Sequence, residues 1–346
     1  KSGAKEVIEM KIKKCKNCGF ILGTRPGLAE RDGVCSACVN IGKKKDINFK
    51  ERQEWLTKYI KENKTHPEYD CLVGVSGGKD SHMIVKRLFE EHGVKKALLV
   101  NMTDEFTHTK AGEQNIKNLC DKYDCDMITF RISPRTFCEE TKKGLEEKLN
   151  PLEYLEKRIY KTPFEFAKMY GIKLVFYGEC AEFEYGSMEN LEIFHPLSDD
   201  ETKLIYLGAI WPYSVGDSLE CAKEAGFIDL DYYNEWQRQG QIENYSQIDS
   251  IGYIMGVWTK FPKFGFQRVS DMACRFVREG VMTREQAELL IKENDWIPDP
   301  TAKRDFCRSI GITEEFFDYC VDKHANTELV KKDVNGNWRR IDYFTE

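Results

Sequence analysis

Long apolar runs are missing from this 346-residue chain. No segment approaches the roughly 18 consecutive apolar residues that a spanning helix needs, so no membrane-embedded part is expected. Lys1 to Lys14 hold no apolar core, so no secretory leader is expected there. The chain begins at Lys1, and Met10 is expected to be the native start, with residues 1–9 a remnant ahead of it. An excess of positive charge is absent too. Fifty-two Lys and Arg stand against 58 Asp and Glu, a net charge of −6, which argues against a dedicated nucleic-acid binder. Histidine is scarce, at six, and no cysteine sits in a G-x-C-x-G turn or at the N-terminus as a nucleophile. A glutaminase triad is therefore not expected within the chain. Internal repeats and low-complexity segments are absent as well.

Cysteine is abundant: there are thirteen. Without a leader this points to a reducing, cytoplasmic setting and to metal-bound or buried thiols rather than disulfides. Four of them form two C-x2-C pairs, Cys15/Cys18 and Cys35/Cys38, with 16 residues between. Each pair can turn both sulfurs toward one ion, and the spacer lets the pairs meet as a tetrahedral site. A structural Zn2+ ribbon over residues 10–45 is expected. An iron–sulfur cluster uses the same donors and stays as the alternative. A catalytic zinc is disfavoured, because four thiolates leave no open position.

The next 150 residues alternate between apolar runs and helical periods. Tyr69–Val75 is a short apolar run, Lys96–Val100 and Asp126–Phe130 read as strands, and Lys173–Tyr177 reads as a further, buried strand. Residues 49–64, the stretch after Gly78 and Gly112–Tyr123 read as helices, as does a long stretch with Pro163 near its middle. That alternation predicts βαβ units and a parallel sheet in residues 46–200. Beyond 200, Ser218–Gly226, Val269–Glu279, Thr283–Asn294 and Thr313–Lys323 read as helices, so residues 201–346 are expected to form a mainly helical substrate or partner region. Tyr206, Trp211, Tyr213, Tyr253 and Trp258 are expected in a core or an interface rather than as a platform for sugar.

The most informative stretch is Val75-Ser76-Gly77-Gly78-Lys79-Asp80-Ser81. It follows a strand and opens a helix. Glycines there let backbone N–H groups curl into an anion nest at the helix N-terminus, while Ser76, Ser81 and Lys79 add donors and charge. It is not a Walker A loop, since Val73 and Asp80 stand where that motif needs Gly and Ser/Thr. It resembles the PP-loop of the ATP pyrophosphatases, which cleave ATP between the α and β phosphates. That resemblance implies Lys79, Asp80 and Ser81 as catalytic residues and Val75, Ser76, Gly77 and Gly78 as ATP contacts. It further implies Met102 and Thr103 at the end of the next strand as an adenine slot. Gly178 would admit the α-phosphate, and Glu179 or Glu182 would hold Mg2+, although the stretch after Gly178 departs from the form common in that superfamily.

The cysteine pairs ahead of the loop, Lys263-Phe-Gly-Phe-Gln-Arg268 and Arg278-Glu-Gly-Val-Met-Thr-Arg-Glu-Gln-Ala287 narrow the resemblance. Together they are similar to the N-acetyl sugar amidotransferases of surface-polysaccharide (lipopolysaccharide) and flagellar-glycan biosynthesis, over about Cys15 to Arg340. The resemblance implies ATP, Mg2+ and Zn2+ as cofactors, adenylation of the N-acetyl oxygen of a nucleotide- or nonulosonate-type sugar, and displacement of AMP by ammonia to leave an acetamidino group. It also implies a separate glutaminase partner. Gln267, Arg268 and Asp271 are the candidate substrate contacts, Arg268 for a phosphate or carboxylate. Two rivals are kept. One is a PP-loop tRNA-thiolation enzyme with Cys180 as sulfur carrier, disfavoured by the net charge. The other is a non-catalytic ATP-binding scaffold, disfavoured by the complete loop.

Overall fold

The computed structural model describes residues 12–178, 185–186 and 193–344. Its centre is a five-stranded sheet of β3 (Cys71–Val75), β4 (Ala97–Thr103), β5 (Asp126–Arg131), β6 (Leu174–Tyr177) and β7 (Lys203–Tyr206). The order is β5-β4-β3-β6-β7 and every pairing is parallel. The chain starts at the centre with β3, builds outward through β4 to β5, then returns to lay β6 on the other side of β3. The order reverses between β3 and β6, so a crevice opens at the carboxyl ends of those two strands, where open α/β sheets bind ligands.

Alternation within β3 shows why the strands read as continuous apolar runs. Cys71, Val73 and Val75 face one core, and Leu72 faces the other. Both faces are covered by helices, so neither can be polar. The small pair β1 (Glu30–Arg31) and β2 (Val34–Cys35) precedes the sheet, with α1 (Ser36–Lys43) and α2 (Phe49–Asn63). The crossovers are α3 (Lys79–Glu90), α4 (Lys110–Tyr123), and the pair α5 (Pro134–Lys148) and α6 (Glu153–Tyr170).

The sequence suggested one long helix around Pro163, but the structure breaks it at Leu149, which takes a left-handed conformation (φ 48°) as the cap of α5. Pro163 lies inside α6. The fifth strand, β7, lies past residue 200, so the sheet runs beyond the stretch in which it was expected. Its Leu204 and Ile205 point into opposite cores.

The C-terminal part contains α7 (Val215–Glu224), α8 (Tyr253–Trp258), α9 (Lys260–Phe264), α10 (Arg268–Arg278), α11 (Arg284–Asn294), α12 (Pro300–Ile310) and α13 (Glu314–His324), then the hairpin β8 (Val330–Lys332) and β9 (Trp338–Arg340). Thr283 and Gln286 close a reciprocal capping box at the start of α11, as their spacing predicts. Among the described residues no helix is long and apolar enough to cross a membrane.

One buried polar chain ties α2 and α3 to the segment after β7. Trp211 Nε1 donates to His92 Nε2 at 3.0 Å. An indole only donates, so Nε2 accepts and the ring proton sits on Nδ1, from which it donates to Thr57 Oγ1 at 2.9 Å. Burial, helped by the Arg87 charge, pushes the His92 pKa down to about 4. The unfolded chain takes up this proton below about pH 6.5, whereas the folded chain resists it until about pH 4. His92 therefore removes stability as pH falls through that window, at up to about 1.4 kcal/mol per pH unit. Denaturant titration of wild type and His92→Gln at pH 7 and pH 5 is expected to show the wild type losing ground to the variant at the lower pH.

Candidate functional site: a cavity over the β3–α3 turn

The turn after β3 is built for close approach. Gly77 has φ +82°, a conformation that side chains disfavour, and a Cβ there would meet Ile116 Cγ1 at 2.9 Å. Ser81 Oγ, one turn into α3, accepts from the Ser76 amide at 3.0 Å, and Ser76 Oγ accepts from the Gly78 amide at 3.3 Å. His82 Nδ1 donates to the Gly78 carbonyl at 3.1 Å, because that carbonyl can only accept. These bonds hold the loop open at the N-terminus of α3.

Lys79 is buried, at 4% exposure, a costly place for an ammonium unless it is paired. Its Nζ donates to Asp80 Oδ1 at 2.6 Å, Tyr213 OH at 3.0 Å and Ser218 Oγ at 3.2 Å. Tyr213 OH in turn donates to Asp80 Oδ1 at 2.7 Å. Burial by itself would lower the Lys79 pKa, but the Asp80 carboxylate and Tyr213 outweigh it and raise it above that of a free lysine. Burial likewise opposes ionisation of Asp80, and the Lys79 charge outweighs it, so that carboxyl stays below its usual range.

Above this floor lies a cavity of about 230 Å3. Val75, Ser76, Gly78, Lys79, Asp80 and Ser81 line one side. The opposite wall comes from the C-terminal part: Tyr245, Ser246, Tyr253, Arg268 and Arg275, with Tyr213 between. The guanidinium of Arg275 lies over the Tyr213 ring at 4.8 Å. Arg268 Nη2 donates to Ser246 Oγ at 2.9 Å, and its Nε is buried with no hydrogen-bond partner among the described residues. Ser246 is held from behind by Glu243, which accepts from the Tyr245 and Ser246 amides at 2.9 Å each, and by Arg238, whose Nη1 donates to the Ser246 carbonyl at 2.7 Å. The cavity thus carries three cations, Lys79, Arg268 and Arg275, in a chain whose net charge is −6.

Among the described residues, three carboxylates also line the cavity: Asp80, Asp104 and Asp249. Asp104 Oδ1 accepts from the Phe106 amide at 2.9 Å and from Ser250 Oγ at 3.0 Å, and His108 Nε2 lies 3.4 Å away. Burial and the Asp104 charge push the Asp249 carboxyl up to about 6.

Several sequence candidates meet here: Val75, Ser76, Gly78, Lys79, Asp80, Ser81, Met102 and Arg268 all line the cavity. Others do not. Thr103 Oγ1 is spent on His108 Nε2 at 3.2 Å. Gly178 is not in the lining; a Cβ there would meet Ile84 Cδ1 at 2.5 Å and would have to displace the tip of that side chain. Gln267 is fully buried. Its Oε1 accepts from the Arg268 amide at 2.6 Å and its Nε2 donates to the Gly240 carbonyl at 3.0 Å, so it caps α10 rather than reaching a ligand. Asp271 is ion-paired with Arg25 and points away from the lining. Glu179, Cys180 and Glu182 lie outside the described residues, and with Cys180 the sulfur-carrier alternative.

Sequence reasoning missed Arg275, Tyr213, Tyr245, Ser246 and Asp249. A signal for Arg275 was present: it stands seven residues after Arg268, on the same helical face. Tyr213 and Tyr253, expected in a core or interface, belong to or pack against core clusters and also line the cavity, and Trp211 and Trp258 are buried in core clusters.

The four cysteines of the N-terminal unit come together. Their ligand atoms all lie within 4.8 Å of one another, with Cys15–Cys38 and Cys18–Cys35 at 3.7 Å. Sulfurs at about 2.3 Å from a tetrahedral ion are about 3.8 Å apart, so the donor set fits one metal ion. The Cys35 amide donates to Cys15 Sγ at 3.4 Å, and Arg278 Nη1 donates to Cys18 Sγ at 3.7 Å. Both stabilise thiolate charge.

The Ser76–Ser81 loop, which resembles a PP-loop in sequence, sits between β3 and α3 at the carboxyl ends of the strands. Residues 239–344 match the family described as LPS biosynthesis protein WbpG-like, C-terminal domain. An uncharacterized protein of Methanocaldococcus jannaschii, MJ1599, is 22% identical over 284 residues, 73% of this chain and 91% of that one. A solved structure of NMN synthetase from Francisella tularensis aligns with 69% of this chain and 96% of its own at 15% identity, with a TM-score of 0.36. No functional argument rests on that likeness.

Metal analysis of the purified chain is expected to find about one tightly held ion per chain, in line with a closed four-thiolate site. Cys18→Ser is expected to lose it and to lower the melting temperature; full retention in that variant would count against the site.

Proposed function

We propose that the protein is an ATP-dependent amidotransferase that converts the N-acetyl group of a sugar into an acetamidino group, with ammonia supplied by a separate glutaminase. The observation that supports this best is the convergence in one cavity of the loop carrying Lys79 and Ser81 with Arg268 and Arg275 of the WbpG-like domain.

In this reading the loop amides and Lys79 hold the β and γ phosphates. The sugar's carbonyl oxygen attacks the α-phosphorus, and pyrophosphate leaves into the loop. Ammonia then adds to the imidate carbon, and AMP departs with the former carbonyl oxygen. An amide oxygen leaves poorly and AMP leaves readily, which is why the adenylation is needed. The chain's own task is to align the reactants and stabilise developing phosphate charge. Lys79 is fixed in place before ATP arrives, because Tyr213, Ser218 and Asp80 already hold it. Arg268, whose buried Nε has no partner among the described residues, is the contact for an anionic group at the substrate end. Mg2+ on the phosphates supplies further charge neutralisation. The metal of the cysteine unit is read as Zn2+, held by Cys15, Cys18, Cys35 and Cys38 in a structural role.

The test is pyrophosphate release with ATP, candidate N-acetyl sugars and an ammonium salt. Release is expected to need all three, and the product mass should show the acetyl oxygen replaced by NH. Lys79→Met is expected to lower turnover about 10²–10³-fold, the usual effect of removing one charge-stabilising donor. Robust glutaminase activity from this chain alone would sink the proposal of a separate partner.

A further inference from the structure

The cysteine unit takes no part in the chemistry above, yet it is packed against the helix that forms the cavity wall. α10 has two working faces. Arg268, Met272 and Arg275 line the cavity. Asp271, Cys274 and Arg278 meet the cysteine unit: Asp271 pairs with Arg25, Cys274 lies against Cys18, and Arg278 Nη1 donates to Cys18 Sγ. Helical spacing alone produces this division, since positions 268, 272 and 275 share one side and 271, 274 and 278 share another.

Arg25 is the most connected of these contacts. It belongs to the loop between the two cysteine pairs. Its guanidinium lies over the Phe20 ring at 4.7 Å and the Phe266 ring at 4.6 Å, so it bridges the cysteine unit and the residues that lead into α10. Both members of its ion pair with Asp271 are mostly buried, at 14% and 11% side-chain exposure. It also lies over the ring of Tyr185 at 5.4 Å, and Tyr185 lines the cavity. The same unit grips the next residue, because Ser36 Oγ donates to the Gly186 carbonyl. One arginine therefore fixes two parts of the wall, the first turn of α10 and Tyr185. Arg268 stands one turn before Asp271.

We propose that Arg25 is a positioning residue: through Asp271, on the first turn of α10, it holds Arg268 in the stance in which its guanidinium faces the cavity. The cysteine unit then acts as a brace for the substrate end of the site. A planar, fully charged guanidinium suits this task, since it stacks on rings and pairs with a carboxylate at once. This deepens the reading of Arg268 as an anion contact and rests on that reading for its consequence in turnover.

The test is hydrogen–deuterium exchange on the full, metal-loaded chain. Arg25→Gln is expected to speed exchange in peptides covering 268–278 about tenfold, as loss of a mostly buried ion pair frees a local segment. Metal content and exchange in β3, β4 and β6 are expected to stay as in the wild type. Asp271→Asn, which leaves the cysteine unit untouched, is expected to give the same pattern and guards against a variant that fails to fold. Arg25→Lys is expected to recover part of the protection, and the swapped pair Arg25→Asp with Asp271→Arg more of it. Unchanged exchange over 268–278 in both single variants would overturn the proposal. So would faster exchange across the whole sheet, which would make Arg25 merely structural. ATP added to the wild type in the same experiment is expected to protect peptides covering 76–81. Its failure there would remove the nucleotide reading while leaving the bracing result to stand.

Discussion

The buried ammonium of Lys79 is the constraint on which the site depends. A lysine at 4% exposure stays charged only if its surroundings supply the stabilisation that water no longer gives. Here three elements supply it: Asp80 from the same helix, Tyr213 from the segment after β7, and Ser218 from α7. The same charge is thereby also a clamp that joins the sheet to the helices beyond it. Arg275 lies over Tyr213 and extends the clamp to α10.

From this follows the arrangement of the cavity. Sheet topology opens a crevice between β3 and β6, and the glycine turn places amides and Lys79 at its floor. The sheet cannot close the crevice by itself. The region matching the WbpG-like domain does so, with Tyr245, Ser246, Arg268 and Arg275. Glu243 and Arg238, both nearly fully buried, hold Ser246 for Arg268. Among the described residues, packing thus brings three cations, Lys79, Arg268 and Arg275, to the same lining as three carboxylates, Asp80, Asp104 and Asp249.

Much of the fold was legible in the sequence. Four of the five strands stand out in the sequence; β3 and β6 are near-continuous apolar runs because a parallel sheet covered on both faces leaves no polar alternation, while the edge strand β5 is only partly buried. The cysteine pairs and the Ser76–Ser81 loop are local motifs whose chemistry is set by spacing. The fifth strand, Lys203–Tyr206, was harder to see, since four residues carry little periodicity and no helix leads into it from the described chain. The site was legible where residues are contiguous and obscure where they converge from afar. Gln267 and Asp271 sit beside Arg268 in sequence, but the helical turn sends them elsewhere, one to cap α10 and one to Arg25. Arg275 and Tyr213 reach the site only through tertiary packing.

The central claim is that this cavity activates a carbonyl oxygen by transferring AMP to it. The fate of that oxygen tests the claim most directly. With a sugar that supports pyrophosphate release, the N-acetyl carbonyl is labelled with 18O and the products are weighed by mass spectrometry. The account predicts that the label leaves the sugar and appears in AMP, one atom per turnover. Label retained in the sugar product, with unlabelled AMP, would contradict it.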